Sequence, residues 1–196
     1  MADTMNRQDT PERILKAATR LFYAQGIRAV GVDAVAAEAG VTKRTLYYHY
    51  PSKDALVAAY LDRWAQAVPA APDLAPDAAV AAILARFAEL QAWFGTDRFR
   101  GCPFVNAVTE VGADNEPAVA VARTFKAGRR AWFAALLARA GASEPEALAA
   151  QLMILVDGAI VSALVTDTAE PAAAAASAAR TLLAAAGLLP TEPRGS

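Results

Sequence analysis

The sequence predicts an all-α protein: an N-terminal three-helix module containing a helix-turn-helix, residues 1–53, then a larger helical region, residues 54–196, with about nine helices in all. Three observations carry this. Hydrophobic residues make up 56% of the 196 positions, but alanine supplies much of that share and strand-favouring residues are scattered. Apolar residues recur at helical spacing in one segment after another, and no stretch alternates with a period of two. Between Val32 and Pro51, two short helical segments are separated by a tight turn containing Gly40. A chain of this length holds one substantial core, or a small module joined to a larger one.

The first helix is expected to open at Thr10, whose hydroxyl suits an N-cap, with Pro11 at the first helical position and Glu12 complementing the dipole. Ile14, Ala17, Ala18, Leu21 and Phe22 form its apolar stripe, and Gly26 ends it. Arg13, Lys16 and Arg20 lie off the stripe; for Lys16 and Arg20 that reads as a solvated face. A second helix runs from about Val32 to Ala39, with Val32, Val35 and Ala36 inward and Gly40 as its stop. Thr42 is the expected N-cap of the third, which Pro51 closes off. Ser52 begins the fourth, with periodic positions Leu56, Ala59, Tyr60, Trp64 and Val68, and the prolines from Pro69 to Pro76 then mark a loop.

A fifth helix over roughly 78–94 is expected to bury Val80, Ile83, Leu84, Phe87 and Phe94. Pro103 begins a sixth, to about Val111, and a seventh follows Pro117 to Ala140 with Phe125, Trp132, Phe133, Leu136 and Leu137. Ser143 and Glu146 have capping-box spacing for an eighth helix at about 144–166. Thr168, Glu170 and Pro171 mark the start of a ninth at about 170–187, ending at Gly187. The eighth is apolar on nearly every side from Leu148 to Val165, which requires burial on more than one face. The ninth is mostly alanine, with Arg180, Leu182 and Leu183 as its larger side chains, so another backbone can approach it closely. Together they are expected to make half of a helical bundle completed by a second copy; an internal hairpin is the alternative.

Composition narrows the classes of function. Cys102 is the only cysteine, so neither an internal disulfide nor a cysteine-based metal site is available, and a reducing cytoplasm is the natural setting. No cofactor is expected. Asp157 splits the best apolar run, which on this reading falls short of the roughly 18 residues that cross a bilayer, and the N-terminal residues lack a signal-peptide core. Enzyme machinery of the usual kinds is missing: there is one histidine, His49, no glycine-rich loop after a strand, and no carboxylate-histidine metal spacing. The net charge of -1 hides an asymmetry. Residues 1–53 hold eight Lys and Arg against five Asp and Glu, whereas the remainder holds eleven against fifteen.

The cations gather around Gly40 to Tyr50, Gly-Val-Thr-Lys-Arg-Thr-Leu-Tyr-Tyr-His-Tyr. With Leu46 and Tyr50 as buried anchors, Lys43 neighbours Tyr47, Arg44 neighbours Tyr48 and Thr45 neighbours His49, each one helical turn apart. Helix N-terminal amides meet phosphate, cations meet phosphate or guanine edges, and tyrosine hydroxyls donate to phosphate oxygens. The combination suits a DNA major groove far better than a hydrophobic core. Lys53 opposes the dipole of the fourth helix, which a DNA phosphate or plain solvation offsets.

The segment from Gly26 to Leu56 reads Gly-x3-Val-Gly-Val-Asp-x-Val-Ala-x3-Gly-Val-Thr-Lys-Arg-Thr-Leu-Tyr-Tyr-His-Tyr-Pro-Ser-Lys-Asp-x-Leu. It resembles the N-terminal domain of the tetracycline-repressor (TetR) family, over about the first 60 residues. The resemblance implies a homodimeric, all-helical transcriptional regulator, usually a repressor, released from a palindromic operator when a small molecule enters the C-terminal domain. It further implies phosphate contacts from Thr42, Thr45, Tyr47, His49 and Lys53, and base contacts from Lys43, Arg44 and Tyr48. Two positions depart from the family pattern. A small residue is usual where Arg44 stands, so Arg44 reads a guanine or reaches the backbone. A hydroxyl pair usually precedes the second helix, where this chain has Val30 and Gly31.

The C-terminal region is less explicit. Arg100-Gly-Cys-Pro-Phe-Val-Asn106, with Glu110 one turn on, resembles a motif in a subset of these regulators; Cys102 there reads as packing, with redox sensing the alternative. Trp64, Phe87, Trp93, Phe104, Phe125, Trp132 and Phe133, with Gln91, Asn106, Glu110 and Asp157, have the mixture that lines an apolar pocket with a few orienting groups; each aromatic taken singly reads as core. Asp157 amid apolar residues is paired, exposed or used: it caps a local irregularity at Gly158, faces the dimer axis, or binds a cationic ligand. Two other classes compete with an effector-released regulator: a constitutive DNA-binding protein with a filled core, and a small all-helical enzyme.

Overall fold

In a computed structural model the described residues are 2–66, 71–112 and 115–189, with side chains described from residue 9. Among them are nine helices and no strand: α1 (Ala2–Gln25), α2 (Val32–Ala39), α3 (Lys43–His49), α4 (Lys53–Gln66), α5 (Pro76–Phe94), α6 (Pro103–Val111), α7 (Glu116–Arg139), α8 (Pro145–Thr166) and α9 (Glu170–Ala185). They divide into two compact units. One holds α1 to α4, α6 and α7 as far as Phe125; the other holds α5, α7 from Lys126, α8 and α9.

In the first unit α1 packs on α2, α3 and α4, and α4 packs on α6. Ile14, Ala18, Val35, Leu46, Leu56 and Leu61 are completely buried, and Phe22 meets Tyr60 edge-on at 5.7 Å. Each buried Ile, Val or Leu among these contributes about 2 kcal/mol, and the Ala18 methyl about 0.8 kcal/mol. In the second unit α5, α8 and α9 pack on one another around Ile83, Phe87, Leu90, Leu152 and Leu183, and α7 buries Phe133, Leu136 and Leu137. The alanines of α9 serve that packing: Ala172 and Ala179 are fully buried.

Several expected boundaries are corrected. α1 does not begin at Thr10; it starts at Ala2 and contains Pro11. Proline's own φ is helical, so Pro11 costs one hydrogen bond without ending the helix. α5 starts at Pro76, two residues early, and α7 starts at Glu116, with Asn115 Oδ1 accepting from the Ala118 amide at 3.2 Å. Ser143 and Glu146 form no capping box. Pro145 takes the first helical position and forces Glu144 out of helical conformation, leaving Glu144 as an N-cap without a side-chain bond. Thr168 does not cap α9, whose N-cap is Ala169; its hydroxyl meets that of Thr166 at 3.3 Å. In α4 the buried set includes Val57 and Leu61, while Ala59 and Trp64 are half-buried, as is Leu84 in α5. Val68 and Pro69 lie outside the described residues.

A further correction concerns α8. Over its most apolar 18 residues it has a mean hydropathy of 2.1, so by length and composition it is able to cross a bilayer despite Asp157. Core helices of soluble proteins meet the same criterion, and α8 buries Leu148, Leu152, Met153, Val156 and Ile160 against protein.

Candidate nucleic-acid interface

A helix of seven residues does not persist alone in water, so α3 depends on its supports. Thr42 caps it, the Thr45 amide donating to Thr42 Oγ1 at 3.1 Å, an arrangement that contributes about 1 kcal/mol. Leu46 is fully buried beneath it, and Tyr50, at its C-cap, is half-buried and donates its hydroxyl to the Pro11 carbonyl at 3.2 Å. The turn before it is held by Arg13, which donates to the carbonyls of Ala39 at 2.6 Å and Gly40 at 3.3 Å. Gly40 sits in the left-handed region at φ 64°, and a Cβ there would lie 3.0 Å from Arg13 Nη2. The left-handed turn therefore favours glycine, and a side chain there would push the Arg13 guanidinium by a few tenths of an ångström.

These supports leave one side of α3 to solvent. Tyr48 is 84% exposed and Tyr47 40%; Thr42, Lys43 and Arg44 are exposed, whereas Thr45 and His49 are half-buried. The His49 ring meets Tyr48 edge-on at 5.1 Å, and the Thr42 and Thr45 hydroxyls lie 2.8 Å apart. Lys43 donates to Asp33 of α2 at 3.0 Å, and that hydrogen bond, reinforced by the carboxylate's charge, raises its pKa above the ordinary value. Arg44 has no ion-pair partner among the described residues. Thus seven of the eight residues expected to contact DNA lie on α3 or its cap.

The eighth, Lys53, opens α4 and is half-buried, with Ser52 Oγ accepting from the Ala55 amide at 3.0 Å. It borders a cavity of about 330 Å³ lined also by Ile27, Arg28, Asp54, Glu110 and Asn115. Across that cavity Glu110 accepts from the Arg28 amide at 2.9 Å, and Asn115 donates to Asp54 at 2.8 Å. Glu110 also packs against Gly26, whose φ is 90° and whose Cβ position lies 2.9 Å from Glu110 Oε2.

The residues expected to line a ligand pocket are distributed over both units. In the first, Phe104 is buried and stacked on Phe125 at 3.8 Å, Trp64 lies against Tyr23 at 5.0 Å with its indole N–H buried and unpartnered, and Asn106 is half-buried. In the second, Phe87 is core, Gln91 is exposed, Trp132 meets Phe133 edge-on, and Asp157 pairs with Lys126. Asp157 is thus both paired and partly exposed, its side chain keeping 39% of its accessible surface beside Lys126. Cys102 is buried.

The sequence reading missed the contributions of Arg13 and Arg20. They are seven residues apart on one face of α1, where Arg13 holds the turn and Arg20 pairs with Glu38 of α2. That spacing was the available signal.

Residues 14–60 match the model of bacterial regulatory proteins of the tetR family, and residues 110–186 match that of tetracyclin repressor-like C-terminal domains. Over 47 residues the chain is 47% identical to the HTH-type transcriptional regulator LmrA of Bacillus subtilis, covering 24% of this chain and 25% of that protein. The HTH-type transcriptional regulator TtgR of Pseudomonas putida is 40% identical over 55 residues, so the matched stretch spans about a quarter of each of these two relatives. Among solved structures, a tetR-type transcriptional regulator from Streptomyces avermitilis is 34% identical with a TM-score of 0.79, covering 91% of this chain and 98% of that one. A TetR-family regulator from Streptomyces coelicolor is 30% identical, also at 0.79, covering 91% and 96%.

Proposed function

The chain belongs to the tetracycline-repressor (TetR) family of transcriptional regulators, and on that premise we propose that it is a cytoplasmic repressor binding a palindromic operator as a homodimer until a small molecule releases it. The observation that carries the proposal is the outer side of α3 and its cap: Thr42, Lys43, Arg44, Tyr47 and Tyr48 exposed, with half-buried Thr45 and His49 beside them, on a helix fixed from behind by Leu46 and Arg13. No catalytic arrangement is proposed.

In this reading residues 1–53 form the DNA-binding module and residues 54–196 the effector and dimerisation module. Thr42, Thr45, Tyr47, His49 and Lys53 contact phosphates and set the register, and Lys43, Arg44 and Tyr48 contact bases. Arg44, having no partner to leave, is the strongest candidate for a guanine edge. The homodimer forms through α8 and α9. Support for that comes from the apolar residues that α8 leaves in water, Ile154 at 70% and Val165 at 79% exposed, with Val161 between them. These fall at 154, 161 and 165, one stripe of the helix. Trp64, Phe87, Gln91, Phe104, Asn106, Glu110, Phe125, Trp132 and Asp157 remain candidates for effector contact.

The test is binding of the purified chain to the DNA upstream of its own and neighbouring genes, at several salt concentrations. A dimer with two recognition helices about 34 to 36 Å apart, or a further turn, selects a palindrome with matching half-site spacing. Binding that is preferential and salt-sensitive is the expected outcome. Equal, weak affinity for all duplexes would overturn the operator reading.

A further inference from the structure

The second compact unit contains a cluster of hydrogen-bond donors with too few acceptors. Arg129 on α7 is only 7% exposed, and no hydrogen bond or ion pair satisfies its guanidinium among the described residues. It lies over Trp132, one turn on, whose ring centroid is 5.1 Å from Arg129 Cζ. The indole N–H of Trp132 is itself buried and unpartnered, and so is Nε of Arg86 on α5. Arg86 is otherwise engaged with Glu89, one turn further along α5.

Buried polar groups are ordinarily hydrogen-bonded, and a buried cation is ordinarily paired. Two buried unpaired donors beside a guanidinium that has no protein acceptor among the described residues form an arrangement that water or protein would normally fill. Burial, followed by the nearby Arg86 charge, lowers the Arg129 pKa to about 10, while Glu89 opposes the shift. The guanidinium thus remains charged at neutral pH in surroundings that disfavour the charge, and an anion brought beside it removes the penalty.

We propose that Arg129, Arg86 and the indole N–H of Trp132 bind the carboxylate of a small organic acid, and that such an acid is the effector. The effector role rests on the regulator reading above; the binding site does not. Charge selects a monoanion: with Glu89 already facing Arg86, the cluster carries one excess positive charge, which a single carboxylate cancels and a phosphate dianion would exceed. Geometry selects a planar oxyanion. A guanidinium lying over the Trp132 ring keeps its N–H edge in plane, where a fork of two donors meets two carboxylate oxygens. The body of the acid is apolar, because Trp132 and fully buried Phe133 meet at 5.1 Å beside the donors.

Thermal denaturation of the whole chain without DNA, at constant ionic strength, tests the site. The probes are benzoate and octanoate at about 10 mM, with benzamide and octanamide as neutral counterparts. At least one acid is expected to raise Tm by about 2 °C or more, the amides are inert, and Arg129→Met and Arg86→Met each abolish the response. Trp132→Phe, which keeps the ring stack and removes the donor, weakens acid binding by about fivefold and serves if Arg129→Met does not fold. The proposal is overturned if neither acid shifts the unmodified chain, if the amides act equally, or if the folded variants respond like the parent. A carboxylate supplied by a second copy instead would show as loss of dimer in Arg129→Met with no response to free acid, which also overturns it. Fluorescence anisotropy with operator DNA separates the two readings. Operator binding without any acid response removes the site alone, and acid binding without operator binding removes the regulator reading alone.

Discussion

α3 and α8 each bury one face and leave another to solvent, but the leftover faces are chemically opposite. On α3 they are Lys43, Arg44, Tyr47 and Tyr48; on α8 they are Ile154, Val161, Leu164 and Val165. Water solvates the cations and hydroxyls at little cost, whereas apolar surface left in water costs roughly 25 cal/mol per Å². A polar face tolerates waiting for its partner and an apolar one does not. The contrast fits a helix that meets DNA reversibly and a helix that is covered permanently by a second copy.

The largest expected effect comes from making the second face resemble the first. Val161→Glu places a charge at a half-exposed helix position, where it is tolerated in a monomer but not in an apolar interface. Sedimentation should show monomer, circular dichroism should show retained helix, and operator affinity should fall by about a hundredfold or more, because each half-site is then bound singly. A dimer that survives this change does not use the stripe through Val161.

Next in size is Arg44→Ala. Losing a guanine contact is worth about 1 to 3 kcal/mol, roughly tenfold or more in operator affinity, and relaxes preference at one base pair in each half-site. A uniform loss across sequences would instead assign Arg44 to the phosphate backbone.

The two faces also differ in how legible they were. Around α3 the signals are local: Gly40 stops α2, Thr42 caps α3, and Leu46 is the one large aliphatic among polar neighbours, so bounds and anchors follow from the chain itself. What supports α3 from outside was hidden, since Arg13 reaches the Gly40 turn only after α1 packs on α2. In the C-terminal region local signals misled. Ser143 and Glu146 have capping-box spacing, but Pro145 between them dictates the start of α8. Arg129 lies in a stripe with Phe125, Trp132 and Phe133, and the aromatics read as core while the cation among them went unremarked. Periodicity reports which face is buried, but not which buried donors lack partners, because that depends on helices distant in sequence.

A smaller effect separates the phosphate contacts from the base contacts. Lys53→Ala should weaken binding several-fold on all sequences alike, and reduce the slope of log affinity against log salt by about one. An unchanged slope would leave Lys53 as a lysine solvated at the mouth of its cavity, beside Asp54 and Glu110.

The smallest effect concerns the one base-contact candidate that already has a partner. Lys43 is held by Asp33 across 3.0 Å, with both side chains more than half exposed. Exposed pairs of this kind contribute little, so Asp33→Asn should leave Tm nearly unchanged. It should also raise operator affinity by no more than about threefold, by removing a negative charge near the phosphates. The pH dependence follows from the sign of the shift. The Asp33 hydrogen bond, then its charge, raise the Lys43 pKa above 10.5, so the pair's contribution is complete below that value and is lost only as pH rises through the raised one. Between about pH 6 and pH 9 the pair therefore adds no slope to operator binding in the parent, and parent and Asp33→Asn should show parallel pH profiles there. A tenfold loss in Asp33→Asn would mean that the carboxylate aims Lys43 at its base, making the ion pair part of the reading surface of α3.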